Sequence, residues 1–175
     1  MENKRTFSIP LASGMELLAD GQLSQDILYD MLKDVKGFDD FKRPELEFLV
    51  RHMKAYRVQG GTTIYRERDR DSYLSVLIEG RVGVYKEDSS DEVKYLAAIS
   101  PGRIFGEISV IDDLPYSASI VAESDAVIVS MSRDGFHQCI EADPIIGVRL
   151  LNLIARLLSA RLRSVNNQLV DYIDV

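Results

Sequence analysis

Apolar positions along the chain follow three regimes: a helical period near the start, short alternating runs in the middle, and a long helical stripe at the end. From Ser24 onward Ile27, Leu28, Met31, Leu32 and Val35 recur three or four residues apart, with Ser24 placed as N-cap and Gly37 where a C′ glycine belongs. A second helix is expected with Pro44 at its first position. Leu46, Leu49, Val50 and Met53 lie on one face, and the helix is expected to end near Ala55. The middle changes character. Short runs at 56–58, 63–65, 74–78, 82–85, 93–99, 119–121 and 126–131 are separated by turn signals such as Gly60-Gly61, Glu79-Gly80 and Pro101-Gly102. Many short strands at this spacing predict an antiparallel sandwich, jelly roll or barrel.

After Ser132 a short helix carrying Phe136 and Ile140 is expected, and Asp143-Pro144 opens a long one reaching towards Tyr172. Its stripe runs Leu151, Ile154, Leu158, Leu162, Val165, Leu169 and Ile173. A second stripe, Ile146, Leu150, Leu153 and Leu157, accompanies only the first half. The wide early face suits burial on the β region, and the narrow continuation suits a seam with another helix, hence a homodimer. The alternative is a fold-back at Asn166-Asn167. The expected organisation is an N-terminal extension over 1–22, a β-rich domain with its leading helices over 23–142, and the long helix over 143–175.

Composition narrows the function. The 175 residues carry 21 Lys+Arg and 28 Asp+Glu, a net charge of −7, which disfavours binding to a polyanion. The beginning of the sequence lacks the apolar core of a secretory signal, and charged or polar residues interrupt the most apolar segment, so a cytoplasmic protein without a membrane span is expected. Cys139 is the one cysteine and reads as a small buried hydrophobe. His52 and His137 have no partner at metal-ligand spacing, so no metal is expected. No serine sits in a G-x-S-x-G setting, which leaves nucleophilic catalysis without a foothold. A metal-dependent enzyme on a related β-fold is therefore the weakest of the readings.

The run Tyr56-Arg57-Val58-Gln59-Gly60-Gly61-Thr62-Thr63-Ile64-Tyr65-Arg66-Glu67 resembles the opening strands of the cyclic-nucleotide-binding domain family, of the catabolite-activator type. So does Tyr73-Leu74-Ser75-Val76-Leu77-Ile78-Glu79-Gly80-Arg81-Val82-Gly83-Val84-Tyr85. More specifically, Pro101-Gly102-Arg103-Ile104-Phe105-Gly106-Glu107-Ile108-Ser109 followed by Pro115-Tyr116-Ser117-Ala118-Ser119-Ile120-Val121 is similar to its phosphate-binding cassette. The resemblance spans roughly 38–163 and implies a mainly β fold with flanking helices. That fold is a double-stranded β-helix, a jelly-roll-like β-roll, with N-terminal helices and a long C-terminal helix.

A glycine entering one helical turn leaves backbone N–H groups available to an anion, so Gly106, Glu107, Ile108 and Ser109 are candidate ligand contacts. The resemblance implies that Glu107 accepts from a ribose hydroxyl and that Ser117, with Ala118 beside it, lines the phosphate; the alternative for Glu107 is a helix-start carboxylate stabilised by the local dipole. It also implies that Arg161 on the long helix lies where a side chain covers the base; the alternative is an exposed arginine beside the seam residue Leu162. The family's arginine directly after the proline is replaced here by Tyr116. Tyr116 either offers its hydroxyl or ring to a ligand, or fills the space a ligand would occupy. A lost charge-assisted hydrogen bond of ~1.5–3 kcal/mol weakens binding about ten- to a hundred-and-fifty-fold. Arg66, Arg68, Arg70, Arg81 and Arg103 are the cations available for rescue, and Arg68 stands where the family commonly has a turn glycine.

The family's transcription regulators continue into a helix-turn-helix domain, for which the sequence after the long helix has no room; no DNA-binding domain is expected. The expected function is a non-enzymatic regulatory sensor. It takes a cyclic nucleotide or similar small anion as ligand, has no cofactor, and signals through its C-terminal helix to a protein partner still to be identified. The alternative is a ligand-free interaction and dimerisation module on the same fold.

Overall fold

The computed structural model describes residues 13–173. The chain divides into two units, one through Gln138 and one from Cys139 onward. In the first unit, β1 (Met15–Asp20) leads to α1 (Gln25–Leu32) and α2 (Arg43–Val50). Then follow β2 (Met53–Val58), β3 (Thr63–Tyr65), β4 (Tyr73–Glu79), β5 (Val82–Glu87), β6 (Val93–Ile99) and β7 (Ile104–Phe105). The short helix α3 (Glu107–Asp112) precedes β8 (Ser119–Ala122), β9 (Ala126–Ser132) and α4 (Arg133–Ala142), whose residues from Cys139 onward belong to the second unit.

These strands make two antiparallel sheets, one ordered β1-β2-β9-β4-β7 and the other β3-β8-β5-β6. Fold class is therefore mainly β with flanking helices, in the two-sheet arrangement of a β-roll. The core between the sheets takes Tyr56, Val58 and Ile128 from the first and Tyr65, Val82 and Ile120 from the second. Their alternation with outward residues is what the period-two runs encode.

Strands at 63–65 and 93–99 coincide with β3 and β6. Three expectations need correction. The second helix stops at Val50, and Met53 to Ala55 belong to β2. There Met53 and Ala55 pair with Met131 and Val129, so sheet registry wins over the helical spacing of Met53. Residues 15–20, which show no period, form β1, an edge strand with an irregularity between Leu17 and Ala19 that breaks its alternation. The third is the first helix, which stops at Leu32 with Lys33 as C-cap, so Val35 and Gly37 fall outside it; β7, two residues long, is too short to carry a pattern. The first twelve residues of the expected extension lie outside the described residues.

Within the second unit, Asp143 caps α5 (Pro144–Ile173): its Oδ1 accepts the N–H groups of Ile145 and Ile146, both at 3.1 Å. Pro144 occupies the first helical position, where its missing N–H costs nothing. The 30-residue helix runs unbroken past Asn166-Asn167, so the fold-back alternative is not realised. Gly147 lets α5 approach α4, since a Cβ there would lie 2.9 Å from Ile140 Cα. Along α5, Ile146, Leu150 and Ile154 are buried, whereas Leu162, Val165 and Leu169 are exposed.

Candidate functional site

The cassette begins where β7 ends. Gly106 adopts φ +76°, a left-handed conformation that L side chains avoid. Space demands glycine as well, because a Cβ would lie 2.2 Å from the Tyr73 carbonyl oxygen and 3.2 Å from Tyr65 Cε2. Gly106 thus seats the turn directly on β4. In α3, Glu107 and Ser109 are buried, at 1% and 3% exposure, while Ile108 faces outward. The Ser109 hydroxyl donates to Gly106 O at 3.1 Å, tying the turn to its own entrance. Asp113 closes α3 with φ +60°.

At the other end, Tyr116 goes inward. Its ring stacks on Tyr65 with centroids 4.5 Å apart and planes within 12°. Tyr65 in turn lies parallel to Tyr73 at 6.2 Å and tilted against Phe105 at 5.7 Å. The Tyr116 hydroxyl accepts the Tyr73 N–H at 2.8 Å. Backbone bonds fix the residue on both sides: Tyr116 N–H donates to Asp69 O, and Arg68 N–H donates to Tyr116 O. Arg68 makes this contact with φ +71°, so a non-glycine residue holds the backbone shape expected of a turn glycine. Deeper still, the Tyr65 hydroxyl bonds Ser75, and Ser75 Oγ lies 2.6 Å from Ser130 Oγ. Burial pushes the phenols of Tyr65, Tyr73 and Tyr116 up from their ordinary value, because the charged form would lose its hydration.

The candidate residues thus separate. Gly106, Glu107, Ile108 and Ser109 share one turn; Tyr116 is 6% exposed and joins the core between the sheets; Ser117 is exposed and Ala118 half-buried. Arg161 stands exposed on α5, in the second unit. The arginines considered for rescue are all exposed, and Arg81 and Arg68 pair with Glu123 and Glu87.

Two cations reach the cassette that spacing along the chain did not point to. Lys86 Nζ donates to Ser117 O at 2.5 Å and pairs with Glu67 at 3.2 Å. Arg133 donates to Ser109 O at 2.9 Å. Both lie far along the chain from the groups they touch, and only the register of β5 and β9 brings them near. Elsewhere, Cys139 is buried and its thiol is pushed up to about 11 by desolvation. Burial, then the neighbouring Arg51 charge, lowers the His52 pKa. Among the described residues no group of three or more His, Cys, Asp or Glu could hold a metal, and no helix is long and apolar enough to cross a membrane.

Comparison with known proteins agrees with this geometry. The model of the cyclic nucleotide-binding domain matches residues 56–143. A CRP-like cAMP-activated global transcriptional regulator of Mycobacterium tuberculosis is 30% identical over 125 residues, covering 71% of this chain and 54% of that protein. A cAMP-dependent protein kinase regulatory subunit of Aspergillus niger is 28% identical over 123 residues, 70% of this chain and 29% of that one. The chain thus spans about half the length of the first relative and less than a third of the second. Among solved structures, a cyclic nucleotide-binding domain from Methylobacillus flagellatus superposes with a TM-score of 0.79 at 27% identity, covering 91% of this chain and 89% of that one. The catabolite activator protein of Thermus thermophilus gives 0.65 at 26% identity, covering 76% and 61%.

Proposed function

Because the chain belongs to the cyclic nucleotide-binding domain family, we propose that it is a non-enzymatic regulatory sensor. Its ligand is a cyclic nucleotide or a similar small anion, held at the turn of Gly106, Glu107, Ile108 and Ser109 together with Ser117 and Ala118. The observation that carries this reading is the turn itself. A glycine at φ +76° opens a helix whose first side chain, Glu107, is a carboxyl held at 1% exposure. A carboxylate at the start of that turn is a suitable acceptor for a sugar hydroxyl. The amides of a first helical turn suit an anion for the reason that they lack intrahelical acceptors.

Signalling passes to α5. Leu162, Val165 and Leu169 are spaced three and four residues apart and exposed, the pattern of a seam, and we assign them to a homodimer contact. A ligand shifts such a contact only as far as it prefers one arrangement of the helix over another. The relatives are regulators rather than enzymes, in keeping with a binding role.

One observation favours a second reading, a ligand-free interaction module. Tyr116 stacks on Tyr65 and accepts the Tyr73 N–H, so the position of the family's arginine is filled by a group already satisfied. Calorimetric titration with cAMP and cGMP separates the two. The sensor reading expects saturable binding by the wild-type protein, weakened at least tenfold in E107Q. Absence of binding by the wild-type protein up to millimolar ligand would sink it and leave the interaction module.

A further inference from the structure

Arg133 is the first residue of α4 and comes directly after β9. Its guanidinium reaches three groups, one just before β4, one on α3 and one just after α3. Nη2 donates to Ser72 Oγ at 2.6 Å and to Ser109 O at 2.9 Å, and Nη1 pairs with the Asp113 carboxylate. Its own backbone N–H donates to Ser72 O at 2.9 Å. Ser72 is buried at 6% exposure and the Arg133 side chain is three-quarters covered.

The partners explain why an arginine is needed. Ser109 O is one of the last four carbonyls of α3, which a helix leaves without an internal donor. Asp113 sits in the left-handed conformation just beyond. A planar fork meets a carbonyl, a hydroxyl and a carboxylate at once, whereas an ammonium is a single point of donation. Ser72 also neighbours Tyr73, whose N–H is taken by Tyr116 and whose carbonyl presses on Gly106. Ser72 and Tyr73 are therefore the two residues where the start of the cassette, its end and the first residue of α4 meet.

We propose that Arg133 is the positioning residue of the cassette: it fixes α3 against the start of β4 and ties it to the first turn of α4. Displacement of α3 or of Tyr116 is then felt at α4 through Ser72 and Tyr73. This goes beyond the sensor reading and rests on it only for the consequence that a ligand would exploit the tie. The positioning role itself holds with or without a ligand.

Hydrogen exchange on the full-length protein, followed by mass spectrometry without any ligand, tests it. In R133Q, peptides covering α3 should exchange at least tenfold faster while those covering β2 and β9 stay within threefold of wild type. R133K should recover part of the protection, and D113N should change it less than twofold, because Asp113 is 78% exposed. Should R133Q fail to fold, R133K and S72A carry the same comparison of α3 against β2 and β9. Unchanged α3 exchange, or acceleration shared equally by β2 and β9, would overturn the proposal. A wild-type protein that binds no cyclic nucleotide would instead sink the sensor reading and leave the exchange result standing.

Discussion

The two ends of the cassette are held by different physics. At the entrance, Gly106 is fixed by backbone: a positive φ and a carbonyl 2.2 Å from where a Cβ would stand leave no other residue a comfortable place. At the exit, Tyr116 adds a side-chain anchor to its two backbone hydrogen bonds: a stacked ring and a hydroxyl that accepts the Tyr73 N–H. The entrance is the turn to which we assign the ligand. The exit is part of the core. A fold can thus retain the shape of one half of a site while the other half contributes to stability, and the two can be perturbed separately.

The largest separation is expected from Tyr116→Ala. Removing a buried aromatic ring should cost about 3–5 kcal/mol in urea unfolding, whereas Ser117→Ala, the loss of one oxygen from an exposed residue at the same end, should stay within about 0.5 kcal/mol. Gly106→Ala comes next, at about 2–3 kcal/mol, from the left-handed penalty plus the clash with Tyr73 O; a loss below about 0.5 kcal/mol would mean that the turn has an alternative conformation. Tyr116→Phe retains the stack and removes only the acceptor of the Tyr73 N–H, so about 1–2 kcal/mol is expected.

The smallest effect is on pH dependence. Tyr65, Tyr73 and Tyr116 have phenols raised above the ordinary 10.0 by burial, so the folded state holds these protons more tightly than the unfolded one. Stability from this source is complete below about pH 10 and declines as pH rises further. Urea midpoints should therefore be flat from pH 7 to 9 and fall above 10, less steeply in Tyr116→Phe; an identical alkaline slope in that variant would remove Tyr116 from the account.

Much of this was legible in the sequence because it is local. The run from Gly106 to Ser109 predicts a turn entering a helix, and the alternating segments predict the strands of both sheets. What was not legible depends on distant partners. Tyr116 could be a ligand contact or a filler until Tyr65, some fifty positions away, is placed against its ring. Arg133 reads as an ordinary first helical residue until β4 and α3 bring Ser72 and Ser109 to it. Met53 fits a helical stripe as well as a strand, and only pairing with Met131 decides. The edge strand β1 hides because its irregularity and half-exposed Leu17 erase the period.

In the sensor reading we propose, the entrance turn receives a nucleotide and Tyr116 denies it the cation its phosphate wants. The most direct measurement is the ratio of cAMP dissociation constants for the wild-type protein and Tyr116→Arg, by calorimetry under one set of conditions. The prediction is binding by both, about ten- to a hundred-and-fifty-fold tighter in the arginine variant. Equal affinities, or no heat from either protein, would contradict it.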